Sequence, residues 1–494
     1  MTKRPTSRLR AAPFFVMRVP LLSFEELRRW SEGAVRDGEG VAEGECAPPG
    51  SFEGERDRLR HGLLSLVERP YVREAIFLAS PGFESLIEGW VADPLIEGHE
   101  RIEQTLCKYF ARMASRPTPF GLFATISTGK TASETDLRVP PAAEITRRSR
   151  LDLGFLDQLV EAMVRDRRWR GAVPLRANPT IYRSGDSIRY VEAPFDDQGK
   201  RRHHLVALRR SRALDGALEA AGVGAGREEI ERSVEQTGAE TGAAARFVDQ
   251  LIDAQALVPA VGAAITGPDP MNQIAEIPSS AEVRAELAAP LQQAGEALRE
   301  VDEAGGFVSP HRYREIAKTL DALPRRPSVS RLFQVDAARP RSGSTVGQEV
   351  VEEVMRGVEL LEGFTPERGE SDLTRFRYAF EERYGQRSVP LLEVLDSESG
   401  IGYPATRQAT GGRSPLVQGL DLGRSLAERQ PWGARERLLL RRMTLAASEG
   451  KTELLLRNED LASLKEKRVE PFSNRRGVMA AMVRVAAPSS EELE

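Results

Sequence analysis

Between residues 102 and 123 two kinds of side chain keep helical time on different faces. Ile102, Leu106, Phe110 and Met113 recur at spacings of four, four and three, the stripe of one buried helical face. Lys108, Arg112 and Arg116 recur at spacings of four on another face, Arg101 falls near the same line, and no acid in that register offsets them. Like charges at such spacing destabilise an isolated helix by roughly 0.2–0.5 kcal/mol per pair. The helix must end at Pro117, because proline disfavours helix at the residue before it. Thr118 then lies between Pro117 and Pro119, which restricts the backbone. Three cations and one hydroxyl therefore stand at a stiff corner. Basic side chains spaced along a rigid element suit a polyanion; a solvated basic face, or cations paired with distant carboxylates, fits the same periodicity.

The rest of the chain alternates between the two periods. Residues 13–20 are an extended apolar run, followed by a helix capped by Ser23 with Glu26 at the capping-box spacing. Residues 33–56, rich in Gly and Glu, read as a surface loop. Residues 57–115 are mostly helical, with a break at Ser80-Pro81-Gly82, and 119–150 read as strands and loops. A self-contained pattern occupies 150–262. It has an amphipathic helix over 152–164 and short β runs at 179–182 and 188–191, joined by hairpin chemistry at Arg183-Ser184-Gly185-Asp186-Ser187. A third β-like run, 202–208, precedes helices at 212–221, 227–236 and 243–254 and an apolar stretch at 256–261. Three strands and three helices in about 90 residues predict a winged helix-turn-helix. Residues 265–280 read as a linker. Helices are expected at 280–303, 310–323, 346–362 and 371–384. Strands are expected at 329–335, ending at Asp336, and at 389–395 before Gly400-Ile401-Gly402. Helix and short strand alternate over 433–485, and no repeat is visible.

Length and composition narrow this picture. At 494 residues the chain is too long for one core, and about 150 residues per domain suggests roughly three units. With 40% hydrophobic and 29% charged residues it is globular. No window approaches ~18 consecutive apolar residues, so no membrane span is expected. The basic N-terminus (Lys3, Arg4, Arg8, Arg10) precedes an apolar run too short for a signal peptide. The two cysteines, Cys46 and Cys107, make neither a disulfide framework nor a zinc cluster, and a cytoplasmic location is the default. The net charge of −4 does not advertise nucleic acid. Of the 70 basic residues 62 are arginine, which GC-rich coding largely explains, although arginine is also the better fork for phosphate and carboxylate.

Several chemistries are missing. There is no nucleophile elbow and no P-loop. The run from Gly222 to Gly226 follows a helix, so it reads as a helix-to-helix loop, not a dinucleotide site. His203 and His204 are adjacent on a β-like run and point to opposite faces, against a shared metal. No pair of carboxylates is singled out.

The run Arg116-Pro117-Thr118-Pro119-Phe120-Gly121-Leu122-Phe123, with Arg112 and Lys108 one and two turns upstream, resembles the N-terminal region of lantibiotic dehydratases. Other segments agree in order: Pro13-Phe14-Phe15-Val16-Met17-Arg18 with Pro20-Leu21-Leu22, Arg150-Leu151-Asp152, Phe333-Gln334-Val335-Asp336, 380–385, 389–396 and 400–404. The likeness spans most of the chain, and 116–123 is its most specific part. It implies an enzyme that uses glutamyl-tRNA to glutamylate Ser and Thr side chains of a ribosomal precursor peptide, the first half of lanthipeptide or thiopeptide dehydration. By this resemblance Arg18, Lys108, Arg112 and Arg116 contact tRNA, and Arg116, Thr118, Asp152 and Asp336 serve glutamylation. Asp152 or Asp336 orients the glutamyl ammonium or takes the serine proton; as residues alone they fit a helix cap or a loop salt bridge equally well. An aminoacyl ester is already activated, so the enzyme has mainly to align hydroxyl and carbonyl and steady the oxyanion. The co-substrate is glutamyl-tRNA, and no cofactor or metal is required.

The implied fold is α+β: several subdomains of mixed sheets and helices, with an embedded winged helix-turn-helix-like element that recognises the precursor's leader peptide. The expected division is 1–150 with the basic corner, 151–264 for peptide recognition, and 265–494 continuing the glutamylation region. A leader peptide would add a strand to the edge at 202–208, with Leu205, Val206, Ala207 and Leu208 as its contacts and pockets against the 243–254 helix. A plain structural subdomain fits the same pattern; DNA binding is disfavoured by Glu228, Glu229, Glu231 and Glu235. The chain stops near Ser489 to Glu494 before the family's Gly-rich, Arg-containing segment, so a separate elimination protein is expected as a partner, or else the chain is a fragment. A peptide–aminoacyl-tRNA ligase and a non-catalytic leader-binding module remain alternatives, and dimerisation stays open.

Overall fold

The N-terminal apolar run is strand β1 (Phe14–Pro20), along which exposed and half-buried positions alternate. It opens a mixed α/β structure, here a computed structural model that describes residues 10–36, 51–196, 199–339, 343–364, 371–403, 433–457, 459–460, 464 and 479–485. Helices α1 (Phe24–Arg36), α2 (Ser51–Val67), α3 (Pro70–Ala79), α4 (Pro81–Ala92) and α5 (His99–Ser115) follow. Ser23 caps α1 as expected, its Oγ accepting from Glu25 N–H at 3.1 Å, but Glu26 pairs with Arg69 and not with the cap. The loop expected over 33–56 is cut from both ends: α1 runs to Arg36 and α2 starts at Ser51, while 37–50 lie outside the described residues. Ser80 separates α3 from α4 as the break predicted, with a proline opening each helix.

Strands β2 (Ala124–Ala132) and β3 (Thr146–Leu151) precede α6 (Leu153–Arg165), α7 (Arg167–Arg170) and β4 (Leu175–Ala177). The 182–259 stretch matches the expected order closely: β5 (Tyr182–Ser184), β6 (Ser187–Glu192), β7 (His204–Arg209), α8 (Arg212–Ala221), α9 (Arg227–Glu235), α10 (Thr241–Asp253) and β8 (Leu257–Pro259). The hairpin turn is tighter than predicted. Ser184 pairs with Ser187, leaving Gly185-Asp186 as the loop, and Gly185 takes φ +60°. The segment Gly222 to Gly226 is the helix-to-helix loop. It is tied to β4 by reciprocal 2.8 Å bonds between Leu175 and Ala225.

Four expectations are corrected downstream. The linker at 265–280 contains a buried helix, α11 (Pro270–Ala275), because Asp269 caps it, Pro270 presets its first turn, and Met271, Ile274 and Ala275 have a core to enter. Helices α12 (Ala281–Glu303) and α13 (Pro310–Thr319) follow. Residues Val329–Arg331 are a 3₁₀ turn; the strand begins later, as β9 (Phe333–Ala338), and runs past Asp336. After β10 (Thr345–Gly347), α14 (Gln348–Phe364) and α15 (Asp372–Tyr384), the strand expected at 389–395 is a short helix, α16 (Leu391–Leu395). Pro390 supplies its N-cap, and Leu391, Leu392, Val394 and Leu395 do not alternate with period two. Over 433–485 only α17 (Ala434–Ser448) is regular, with no strand among the described residues.

The chain divides into two compact units: 16–128 with 138–342, and 1–15 with 129–137 and 343–494. Neither unit breaks at 150 or 264. Within the larger unit the 151–264 segment shares one apolar core with α11, α12 and α13, through Leu156, Met163, Tyr190, Leu214, Val248, Leu291, Leu298 and Tyr313. A second core joins α2–α5 to a sheet in the order β1-β2-β9-β3, through Leu66, Ile76, Trp90, Leu106, Phe110, Phe123, Val335 and Ala337. In that sheet β9 lies parallel to β2 and antiparallel to β3. In the smaller unit Lys130–Ala132 pair in parallel with β10, and Gly129 is obligatory because a Cβ there would collide with the Phe15 ring and Ser344 O.

A buried polar cluster fastens β3 to the helices of the larger unit. Glu74 on α3 pairs with Arg147 on β3 and accepts from Tyr313 O–H at 2.8 Å and Val308 N–H at 3.0 Å. Burial pushes the Glu74 carboxyl up against the pull of these donors, and burial beside that carboxylate also raises the Tyr313 phenol. Removing one partner of such a pair strands the other charge. Arg147→Met should therefore cost about 3–5 kcal/mol in urea unfolding. Adding Glu74→Gln should recover more than half of that, since a neutral amide still accepts from Tyr313 and Val308.

Candidate functional site

Helix α5 buries Ile102, Leu106, Phe110, Met113 and Ala114, as its apolar stripe requires. It stops where Pro117 dictates: Arg116 is extended (φ −110°, ψ 109°), and its N–H still reaches Arg112 O at 3.1 Å. The corner beyond is held from one side by backbone. Leu22 N–H donates to Met113 O at 3.0 Å and Leu21 N–H to Phe123 O at 2.9 Å. Gly121, at φ +52°, completes a turn in which Phe123 N–H donates to Phe120 O at 3.0 Å.

The three cations are not equivalent. Arg112 is half-buried, its guanidinium 4.8 Å from the Phe120 ring centre and 5.7 Å from that of Phe123. Phe123 is buried and meets Tyr109 edge-on at 5.5 Å. Lys108, Arg116 and Thr118 are exposed, and among the described residues Lys108 and Arg116 have no ion pair. Packing has turned the middle cation into a bracket and left the outer two for solvent or a ligand. Phe120 was missed as a candidate; its place in the Arg116–Phe123 run, three residues before a second Phe, was the available signal.

The outer face of the β1-β2-β9-β3 sheet gathers residues far apart in sequence. On β1, Val16 and Arg18 are exposed, and Arg18 lies three residues before Leu21, the residue bonded to the corner. Val335 and Ala337 of β9 enter the core, so Asp336 faces out, with its side chain 55% accessible. Register places Arg148 directly across from Asp336 and Arg150 across from Gln334. Arg150 reaches along the face to Asp336 Oδ2 at 2.7 Å. Two strand spacings separate β1 from β9, on the order of 10 Å, so Arg18 and Asp336 share one open surface. Asp152 follows β3, and its N–H donates to Leu332 O at 2.8 Å. Its carboxylate caps α6 by accepting from Gly154 N–H at 2.8 Å. Behind the sheet buried Arg339 donates to Thr125 Oγ1 at 3.1 Å, and burial holds its guanidinium below the usual range.

Strand β7 is an edge of the three-stranded sheet β5-β6-β7. The four residues expected to contact a peptide there split by side. Leu205 and Ala207 are exposed, whereas Val206 and Leu208 pack on the core, because successive strand residues point to opposite faces. The helix over 243–254 likewise commits Ala244, Val248, Leu251 and Ile252 to that core. Among the described residues no cluster of three or more His, Cys, Asp or Glu is placed to hold a metal ion, and no helix is long and apolar enough to cross a membrane.

The sequence profile described as "Lantibiotic dehydratase, N terminus" matches residues 68–494. The chain belongs to the lantibiotic dehydratase family. It is 26% identical over 364 residues to subtilin biosynthesis protein SpaB of Bacillus subtilis, covering 71% of this chain and 33% of that protein. Its fold resembles the tRNA-dependent lantibiotic dehydratase MibB from Microbispora sp. 107891, with a TM-score of 0.65 and 24% identity over 94% of this chain and 41% of that one. The glutamylation domain of TbtB, from thiomuracin biosynthesis, aligns with a TM-score of 0.50 and 16% identity, over 84% of this chain and 51% of that one. The chain thus spans about a third to a half of the length of these relatives.

In this lantibiotic dehydratase chain the cap and any chemical role of Asp152 are separable. Asp152→Asn keeps an acceptor for Gly154 N–H and should leave urea stability within about 0.5 kcal/mol of the parent, whereas Asp152→Ala should lose about 1 kcal/mol. Any activity lost in the Asn variant at full stability would trace to the charge and not to the cap.

Proposed function

We propose that this chain carries out glutamyl transfer from glutamyl-tRNA to Ser and Thr side chains of a ribosomal precursor peptide, the glutamylation half of dehydration. The observation that carries the reading is the corner where Lys108, Arg116 and Thr118 stand exposed, without ion pairs to described residues, beside the open sheet face that bears Arg18 and Asp336. Family membership supports it, as do the fold relatives, one described as tRNA dependent and one as a glutamylation domain.

The chemistry needs little beyond alignment. A serine or threonine oxygen attacks the glutamyl carbonyl, the bond to the tRNA ribose oxygen breaks, and the peptide proton passes to the departing ribose oxygen. One ester replaces another, and the work lies in holding both partners. Lys108, Arg116 and Arg18 hold phosphates of the acceptor end; Thr118 adds a hydrogen bond. Asp336, with Oδ2 engaged by Arg150, keeps Oδ1 to receive the glutamyl ammonium. No cofactor or metal enters this scheme. The 151–264 segment is a winged helix-turn-helix-like reader of the leader peptide, which adds a strand along β7.

Precursor peptide incubated with the chain, tRNA, glutamate and its synthetase should gain glutamate on a side chain, read by mass spectrometry. A terminal peptide bond instead would make the chain a peptide–aminoacyl-tRNA ligase, and binding without modification would make it a leader-binding module. Arg116→Glu should abolish glutamate transfer while leaving the unfolding midpoint unchanged; undiminished turnover refutes the assignment. Leu205→Asp on the exposed side of β7 should weaken precursor binding at least tenfold without altering tRNA affinity, both measured by fluorescence anisotropy.

A further inference from the structure

Phe120 does something the acceptor-end reading does not require. It is 49% exposed, yet it sits on one of the most constrained stretches of the chain, after Pro117 and Pro119 and before the Gly121 turn. The core does not use it: Phe123, three residues on, fills that role at 1% exposure. The Arg112 guanidinium lies over the Phe120 ring, and the Phe123 ring flanks it at 5.8 Å with a 48° tilt. The ring is thus braced rather than swinging free. Lys108, one helical turn before Arg112, and Arg116 and Thr118, which follow it into the corner, are exposed, and among the described residues Lys108 and Arg116 have no ion pair. A braced, half-exposed aromatic among cations is the arrangement that takes an unpaired nucleobase: the base stacks on the ring while its phosphates meet the charges. A base inside a duplex has no free face to offer, so the ligand is a single-stranded nucleotide.

We propose that Phe120 is a stacking platform for an unpaired nucleobase at the 3′ end of tRNA, and that Arg112 acts mainly by bracing it. This rests on the tRNA reading above and adds a base contact to it. Stacking on an aromatic tolerates any base, so this contact recognises the single-stranded tip and not its sequence.

The test uses the full chain with two tRNAs, one intact and one trimmed of its unpaired 3′ nucleotides. Phe120→Ala should weaken binding of the intact tRNA about tenfold and leave the trimmed one unchanged, and Phe120→Trp should bind both like the parent. With 2-aminopurine as the terminal base, the parent and the Trp variant should quench its fluorescence and the Ala variant should not. Equal loss on both tRNAs would mean that Phe120 only supports Arg112, and no loss on either would remove the platform; both outcomes overturn the proposal while the tRNA reading survives. Failure of the parent chain to bind either tRNA overturns the reading and the proposal together.

Discussion

Strand β9 lies between β2 and β3, and much of the candidate site follows from that placement. Nearly two hundred residues separate β2 from β9 in sequence, so this pairing closes a long loop and must be rewarded by contacts on both sides. It is. Val335 and Ala337 enter the apolar core under α3–α5, and six residue pairs join β9 to β3. With those two side chains turned in, the period of two turns Asp336 out, where Arg150 meets it. A slip of one residue would bury Asp336 and expose Val335, so the core enforces the register that presents the carboxylate.

The basic corner depends on a similar division of labour. Helix α5 is anchored by its apolar stripe, and its last turn is tied to the end of β1 through Met113 O. That anchoring offsets the repulsion along the cationic face, which an isolated helix would not tolerate well. The same tie sets β1, and Arg18 with it, beside the corner. Arg112 is engaged by the Phe120 and Phe123 rings, leaving Lys108 and Arg116 as the open charges.

Buried charge is what holds the outer sheet strand in place. Glu74 accepts from Arg147, Tyr313 and Val308, and Arg147 also donates to Gly306 O, with Arg147 3% and Glu74 0% accessible at the side chain. Such a cluster contributes little net stability over an apolar one, but it tolerates few alternative arrangements. Arg147 points inward from the strand that carries Arg148 and Arg150 outward, so this cluster holds the arginines that face Asp336.

Local signals were legible in the chain itself. The stripe from Ile102 to Met113, the stop at Pro117, the cap at Asp152 and the strand-and-helix order from 182 to 259 all follow from period, proline geometry and capping. Where apolar residues were few or neighboured by proline, the same reasoning misjudged the element, as at α11 and α16, because a short segment takes its conformation from the core it can enter and not from its own propensity. Which cations stay open was beyond the sequence: Lys108, Arg112 and Arg116 look alike in spacing, and only the folded corner sets the Phe120 ring against Arg112. The meeting of Arg150 with Asp336 was likewise decided by tertiary structure, because it depends on a strand pairing across most of two hundred residues that no local pattern encodes.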